Sequence, residues 1–520
     1  MKIISIYKIE GDLIYKMRFN VLIGGKAGQG PNLLAHTLGR VLVRRGMYVF
    51  YSREYESVIR GGHNYNVITF ANEPVYSNDN KIEVLVALNE ESIGLHKDKL
   101  HKSSVIIKGN EENDSNMHLA GKLFKILGIE FELLDEELKI IKKKYEENAT
   151  EAKKGYDEAE KKFDLPESIQ SKGKLSFKNG SMGIADGAIG GGLDVYYAYP
   201  MTPATPLMGE LAGNQLEYNH IVIELENEIA VANAGVGSAI IGAKTMVGTS
   251  GGGFDLMTET LSLTGMAEVP LVFYLSQRPG PATGVATGQA QGDLNIARHS
   301  GHGEFPRIII APGDAKEAEE SASEAFYFSQ KFKVPSIILS DKHLSESFYT
   351  IEGEPELTFS NKTTSLGRYN SYEKNSEGSF AEDPKIVSQN VKNRINKIWE
   401  IEREAKNFEQ YKIYGNKKSE NVILAWGSTK GAILDAIKWD NINAKLIQIV
   451  YIEPFNHESL WEELLGKNLI LIENNSTCQL GQLIKEKTGF NVAPRNRITR
   501  YDGKPFLRDE LSLEIRRRLK

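Results

Sequence analysis

An α/β architecture of three α/β domains is predicted for this chain, and three observations carry the prediction. At 520 residues the chain is too long for one core, and a prior of roughly 150 residues per domain gives about three. Short apolar runs alternate with helical periodicity in three separate stretches, which is the pattern of βαβ units and not of hairpins or bundles. Two polar, charged stretches, 109–174 and 350–419, lie between them. The boundaries read as a first domain over 1–174 that ends in a charged helical linker, a central domain over 175–349, a linker segment over 350–419 and a last domain over 420–520.

Composition limits the function. The hydrophobic fraction is 41% and the charged fraction 25%, ordinary for a soluble cytoplasmic enzyme. A net charge of −6 argues against nucleic acid, which needs a concentrated basic face. The basic runs Lys142-Lys143-Lys144 and Arg516-Arg517-Arg518 read as solvated helix faces. Cys478 is the one cysteine, so the chain alone can hold neither a disulfide nor a cysteine-ligated iron–sulfur or zinc site. A reducing, cytoplasmic compartment fits. No apolar run reaches the ~18–20 residues of a membrane span, and the charged N-terminal stretch lacks the apolar core of a signal peptide.

In chain order, residues 1–18 alternate apolar and charged and read as an edge strand or a leader. A strand over 19–23 runs into Gly24-Gly25-Lys26-Ala27-Gly28-Gln29-Gly30 and a helix over 32–45. Such a loop suits phosphate, although the glycine spacing fits neither the dinucleotide fingerprint nor a P-loop, and a tight turn is the alternative. Arg60, beside Gly61 and Gly62, suits a phosphate or carboxylate, or a surface ion pair. Strands over 48–51, 64–70, 84–88 and 104–107 complete the domain, and 130–162 reads as solvated helices.

The central domain is organised around 196–283. Pro200, Pro203 and Pro206 stiffen a loop that carries Thr202 and Thr205. A strand over 220–225, a helix over 226–242 made largely of Ala, Gly and Ser, a strand over 244–250, a turn over 251–253, a helix over 254–267 and a strand over 270–275 make βαβαβ. Polar residues gather at the strand ends, where open α/β sheets bind ligands. In the last domain, strands over 421–426, 445–450 and 469–475 alternate with helices, and little there looks catalytic. The turn Gly427-Ser428-Thr429 reads as a helix cap or an anion site.

A Gly-x-Ser-x-Gly elbow is lacking, and His299 and His302 have no third ligand in view. What remains is a carboxylate at a strand-to-helix junction, Glu224, Glu226 or Glu228. In low dielectric such a group holds its proton more tightly and can exchange it with a heterocyclic nitrogen; each also reads as a helix-start acid.

Five motifs then carry a resemblance: Tyr199-Pro-Met-Thr-Pro-Ala-Thr-Pro206, Glu226-Asn-Glu-Ile-Ala-Val231, Thr249-Ser-Gly-Gly-Gly-Phe-Asp255, Gln277-Arg-Pro-Gly-Pro-Ala-Thr-Gly284 and Gly301-His-Gly-Glu-Phe-Pro-Arg307. In this order the stretch resembles the alpha subunit of 2-oxoacid:ferredoxin oxidoreductases. The first glycine loop with Arg60-Gly-Gly resembles the family's gamma subunit, and Ala425-Trp-Gly-Ser-Thr429, Glu473-Asn-Asn475 and Tyr501-Asp-Gly-Lys-Pro-Phe506 resemble its transketolase-like C-terminal domain.

The resemblance implies a fused gamma–alpha chain with a gamma-type domain, a pyrimidine-type thiamine diphosphate domain and a transketolase C-terminal-like domain. It implies oxidative decarboxylation of a 2-oxoacid with coenzyme A as co-substrate and ferredoxin as acceptor. Glu228 matches the glutamate that serves the cofactor's aminopyrimidine, with Ser250 and Gly251 beside the cofactor; Thr202, Arg278 and Thr283 match the substrate-holding residues. Nothing in the chain matches the motif that holds magnesium and the diphosphate. A beta subunit is therefore expected to bring both, together with a [4Fe-4S] cluster, and to dock on the small-residue helix over 230–242. Met201 and Ala204 stand where relatives often have Ile and Ser. A nucleotide-dependent transferase and a non-catalytic scaffold subunit are the competing readings.

Overall fold

The computed structural model describes residues 4–9, 12–57, 62–109, 115–142, 144–165, 173–362 and 369–520. The described chain forms two compact units: one of residues 1–178, 347–354 and 507–511, the other of 179–346, 355–506 and 512–520. Arg60 lies outside the described residues.

The first unit is built on a sheet in the order Leu100–Lys108, Ile82–Ala87, Asp12–Lys26, His63–Ala71, Tyr48–Glu54, Phe348–Glu352 and Leu175–Asn179, with Ile4–Ile9 also pairing onto Asp12–Lys26. The stretch over 4–9 is thus a strand. Phe19, Val21 and Ile23 alternate into the core with Leu38, Leu42, Phe70, Val84 and Phe124, as the period of two requires. Gly24, Gly25 and Lys26 continue the strand, and the turn is confined to the residues before Gly30, whose φ of 86° starts the helix Pro31–Arg44.

Two readings differ from this. The charged stretch over 130–162 forms helices Phe131–Ile141 and Tyr145–Glu158 that bury Leu134, Leu138 and Ala152 in the first core; apolar residues three and four apart make one face a packing face despite the surrounding charge. The boundary at 349 falls inside the strand Phe348–Glu352, which pairs with Tyr48–Glu54 and is tied there by Val49 N donating to Thr350 Oγ1 at 2.8 Å.

In the second unit a seven-stranded sheet runs Tyr451–Glu453, Ile308–Ile310, Ser336–Asp341, Val272–Gln277, Thr245–Thr249, Val195–Ala198 and Ile221–Glu224. The inner strands are parallel, and their register aligns Glu224 with Ala198, Ala198 with Gly248, Thr249 with Leu275, and Gln277 with Asp341. Their C-terminal ends therefore form one edge. From Val195–Ala198 the chain goes outward to Ile221–Glu224 and then returns to Thr245–Thr249 on the other side. The loops after Ala198 and Thr249 flank that reversal, the place where open α/β sheets bind ligands. A five-stranded sheet follows: Tyr411–Gly415, Lys445–Ile449, Asn421–Trp426, Asn468–Glu473 and Arg497–Thr499. The stretch read as a linker over 350–419 supplies its edge strand Tyr411–Gly415 and the helix Pro384–Ala405. Trp426, Ile447 and Leu471 share one core with Val247, Leu271 and Phe273.

Candidate functional site

The strand-to-helix junction over 224–228 distinguishes its three carboxylates by burial. Glu224 and Glu226 are exposed, whereas Glu228 is 4% exposed. Asn227 caps the helix Glu228–Ile240 by accepting the Ala230 N–H at 2.9 Å, so Glu228 is released from capping and turns inward. Its Oε1 is buried with no hydrogen-bond partner. It lies against Gly253, where an added Cβ would stand 2.7 Å from Oε1 and 2.1 Å from Thr249 Oγ1. That close approach explains the glycines over 251–253. They are not a separate turn but the first residues of the helix Gly251–Ala267, because Ser250 in extended conformation already makes the bend and a side chain at 253 would collide with Glu228.

Ser250 occupies the N-cap of that helix without a side-chain cap bond. Its Oγ is buried and unpartnered. Gly251 faces Asp293, with an added Cβ 2.6 Å from Oδ2. Side-chain groups with unmade hydrogen bonds thus face the N-terminal turn of one helix from two sides. Buried polar groups are normally satisfied, so such a gathering points to a ligand.

Arg278 follows the strand Val272–Gln277, and its Nη1 donates to the Thr202 backbone oxygen at 2.6 Å. Its Nε is buried without a partner. Burial lowers its affinity for its proton from the ordinary guanidinium range, opposed by Asp293. Thr202 is half-buried in the proline loop. Arg278 therefore meets Thr202 through the carbonyl and not the hydroxyl, because a guanidinium has only donors and the carbonyl is the free acceptor in that loop. The expected convergence of all three groups is only partial: Thr283 is exposed, and among the described residues it does not touch Arg278. Its loop is fixed by Gly284, whose φ is 52° and where a Cβ would meet Pro279 O at 1.9 Å.

Two features were not read from the sequence. Asp293 sits before the short helix Leu294–His299, and burial, reinforced by Asp255 and opposed by Arg278, pushes its carboxyl up to about 6. The signal was the sequence Gln291-Gly292-Asp293, in which an Asp opens a helix. A cavity of about 440 Å³ is lined by Pro279, Pro281 and Asp293 from the central sheet's loops and by Asn474, Asn475 and Tyr501. The last domain, read as chemically quiet, therefore contributes wall residues beside the site. Among the described residues, no group of three or more His, Cys, Asp or Glu could hold a metal ion, and no helix is long and apolar enough to cross a membrane.

A thiamine diphosphate-dependent class of enzyme is defined by what residues 186–416 match, the thiamine diphosphate-binding domain of pyruvate flavodoxin/ferredoxin oxidoreductases. Residues 20–154 match the pyruvate ferredoxin/flavodoxin oxidoreductase family as well. Over 95% of its length the chain is 29% identical to the 2-oxoacid:ferredoxin oxidoreductase subunit alpha of Sulfolobus sp, covering 96% of that protein. It is 29% identical, over the same share, to that of oxidoreductase 1 of Sulfurisphaera tokodaii, covering 97% of it. A 34% identity to the 2-oxoglutarate synthase subunit KorA of Archaeoglobus fulgidus extends over 34% of this chain and 51% of that one. The fold matches that of 2-oxoglutarate:ferredoxin oxidoreductase from Magnetococcus marinus, determined with 2-oxoglutarate, coenzyme A and succinyl-CoA bound. The TM-score is 0.87 at 23% identity, over 97% of this chain and 100% of that one. The chain belongs to the 2-oxoacid:ferredoxin oxidoreductases, as a fused subunit of alpha type, and is part of an oxidoreductase that uses ferredoxin.

Proposed function

We propose that this chain, joined to a beta-type partner, carries out the coenzyme A-dependent oxidative decarboxylation of a 2-oxoacid, yielding an acyl-CoA and carbon dioxide while the electrons pass to ferredoxin. The observation that carries this reading is Glu228, a buried carboxylate with an oxygen left free of any hydrogen bond at the C-terminal edge of a parallel sheet. Thiamine diphosphate, when bound, supplies the electron sink that decarboxylation needs. The chain's residues fit its aminopyrimidine end: Glu228 Oε1 offers an acceptor for a proton on a ring nitrogen, and Ser250 Oγ a second unmade hydrogen bond beside it. Arg278 and Thr202, with Thr283 on the outer loop, would hold the carboxylate and keto oxygen of the 2-oxoacid.

Magnesium, the diphosphate contacts and a [4Fe-4S] cluster fall to the partner, since one cysteine cannot ligate such a cluster. The small-residue helix supports a docking role only on its outer strip. Val231, Ala232 and Val236 are buried within the unit, while Ile229 and Ile241 are exposed. A reducing, cytoplasmic setting suits the single buried thiol of Cys478.

Anaerobic assay of the complex with pyruvate, 2-oxoglutarate and a branched-chain 2-oxoacid, coenzyme A and a low-potential dye tests the reading. Dye reduction dependent on both a 2-oxoacid and coenzyme A is expected from the complex, and none from this chain alone. A partner fully active without this chain would make it a scaffold, and a complex that reduces no dye with any of the three acids would contradict the reading.

A further inference from the structure

Asp293 is the ionisable group of the site that the proposed reaction leaves without a task. It stands at the N-cap of the helix Leu294–His299, yet its side chain makes no cap bond. Its backbone is held firmly. Gln277 Oε1 accepts the Asp293 N–H at 3.0 Å, and the Gln277 amide is itself anchored on Ser340 O. Two residues upstream, Gln291 donates through its backbone to Asn474 O and through Nε2 to Trp426 O. A strap tied at these points delivers one carboxylate to a fixed place, the preorganisation that a functional site needs.

At that place Oδ2 is buried, lies against Gly251 and accepts no hydrogen bond among the described residues. Arg278 Nε is in the same condition, a buried donor left unmade. The two carry opposite charge and feel each other's field, while the far end of the guanidinium is held by Thr202 O.

We propose that Asp293 is a positioning residue for Arg278: its carboxylate, through Oδ2 and Nε, sets the plane of the guanidinium so that the remaining N–H groups face the carboxylate of the 2-oxoacid. The inference rests on the reading of Arg278 as the substrate clamp. Asp293 does not take the substrate's carboxylate itself, because like charges repel. The charged groups that face it are Arg278 after the strand Val272–Gln277 and Asp255 on the helix Gly251–Ala267, with Glu228 at Gly253 on the next turn. With its carboxyl at about 6, Asp293 is ionised and able to hold a guanidinium above that pH, and neutral below it.

The test uses the complex with its partner and four forms of this chain: wild type, Asp293→Asn, Arg278→Lys and the double variant. Asp293→Asn is expected to raise the KM for the 2-oxoacid about ten-fold, more than it lowers kcat, to leave the KM for coenzyme A unchanged, and to leave Tm unchanged or higher. In wild type that KM rises as pH falls through about 6, and in Asp293→Asn the rise is absent. In the Arg278→Lys background the second change adds less than about two-fold, because the group it positions is gone. A wild-type KM and pH profile in Asp293→Asn, full additivity with Arg278→Lys, or a lowered Tm with both KM values raised together would each overturn the proposal. A wild-type complex without turnover of any 2-oxoacid would overturn the functional reading and this inference with it.

Discussion

Two groups of buried carboxylates in the second unit contrast in how their oxygens are used. Glu317, 3% exposed, accepts from Gly313 N, Gln448 Nε2, Lys430 Nζ and Tyr414 OH. Burial alone would raise it, but Lys430 and Lys412 more than offset this and hold it down to about 2. Glu473, fully buried, accepts from Trp426 Nε1, Asn475 Nδ2 and the N–H groups of Leu480 and Gly481, where it caps the helix Gln479–Thr488. Glu228 and Asp293 are buried to a similar degree, yet each keeps an oxygen without a partner. The difference teaches where the chain is complete by itself. A carboxylate that serves the fold is supplied with donors by the chain, whereas one that serves chemistry keeps its acceptor free and the fold bears the desolvation cost.

The largest effect on stability is expected where the contrast is sharpest. Lys430→Met leaves Glu317 and Asp314 without the cation that both contact, and removing one partner of a buried pair costs about 3–5 kcal/mol. Denaturant unfolding of the chain would register this as a lower midpoint at an unchanged slope, and an unaltered midpoint would remove the distinction between the two groups. Arg278→Lys comes next. It keeps the charge but loses the planar fork, so the KM for every 2-oxoacid should rise by about ten- to a hundred-fold, the equivalent of about 1.5–3 kcal/mol. A change confined to the constant for coenzyme A would place the clamp elsewhere.

Acid separates the groups by sign. Glu317 and Asp79, the latter held at about 2 by Arg18 and Arg508 despite burial, have depressed values. Their contribution is complete above their unfolded values near 4 and is lost as pH falls through about 2. Asp293 is raised to about 6, so its ionised form burdens the fold above that pH and the burden is relieved as pH falls toward 4. Thermal scans from pH 7 to pH 3 should show that Asp293→Asn gains stability over wild type at pH 7 and loses that advantage near pH 4; a constant offset would contradict the assignment. The smallest effect is expected at Thr283→Ala. One neutral donor is worth about 0.5–1.5 kcal/mol, and since Thr283 is exposed the rise in KM belongs at the lower end. A rise equal to that of Arg278→Lys would show that the loop closes over the substrate.

The parallel core of this site was legible because its periodicity is local. Strand, helix and strand over 221–277 follow from alternating apolar runs and from Asn227 and Ser250 at the helix starts. Glu228 was one of three candidate acids until burial separated it from Glu224 and Glu226. What escaped sequence reasoning depends on long-range pairing. The strand Phe348–Glu352 crosses to the first sheet, Tyr411–Gly415 completes the third, and Gln291 joins Asn474 and Trp426, far apart in sequence, into the strap that delivers Asp293. No periodicity marks such contacts. Gly251 was read as a turn because glycine runs favour turns, whereas here Gly253 serves close packing against Glu228 inside a helix.

The central claim is that Glu228 is kept free for proton exchange and not for stability, and one variant tests it most directly. In the complex, Glu228→Gln preserves shape but removes the exchangeable proton. Turnover of the 2-oxoacid should fall by roughly 10²–10⁴, the scale of acid–base assistance, while Tm and assembly with the partner stay at wild-type values or above. Near-normal turnover in Glu228→Gln, or a fall in Tm as large as that caused by Lys430→Met, would contradict the account.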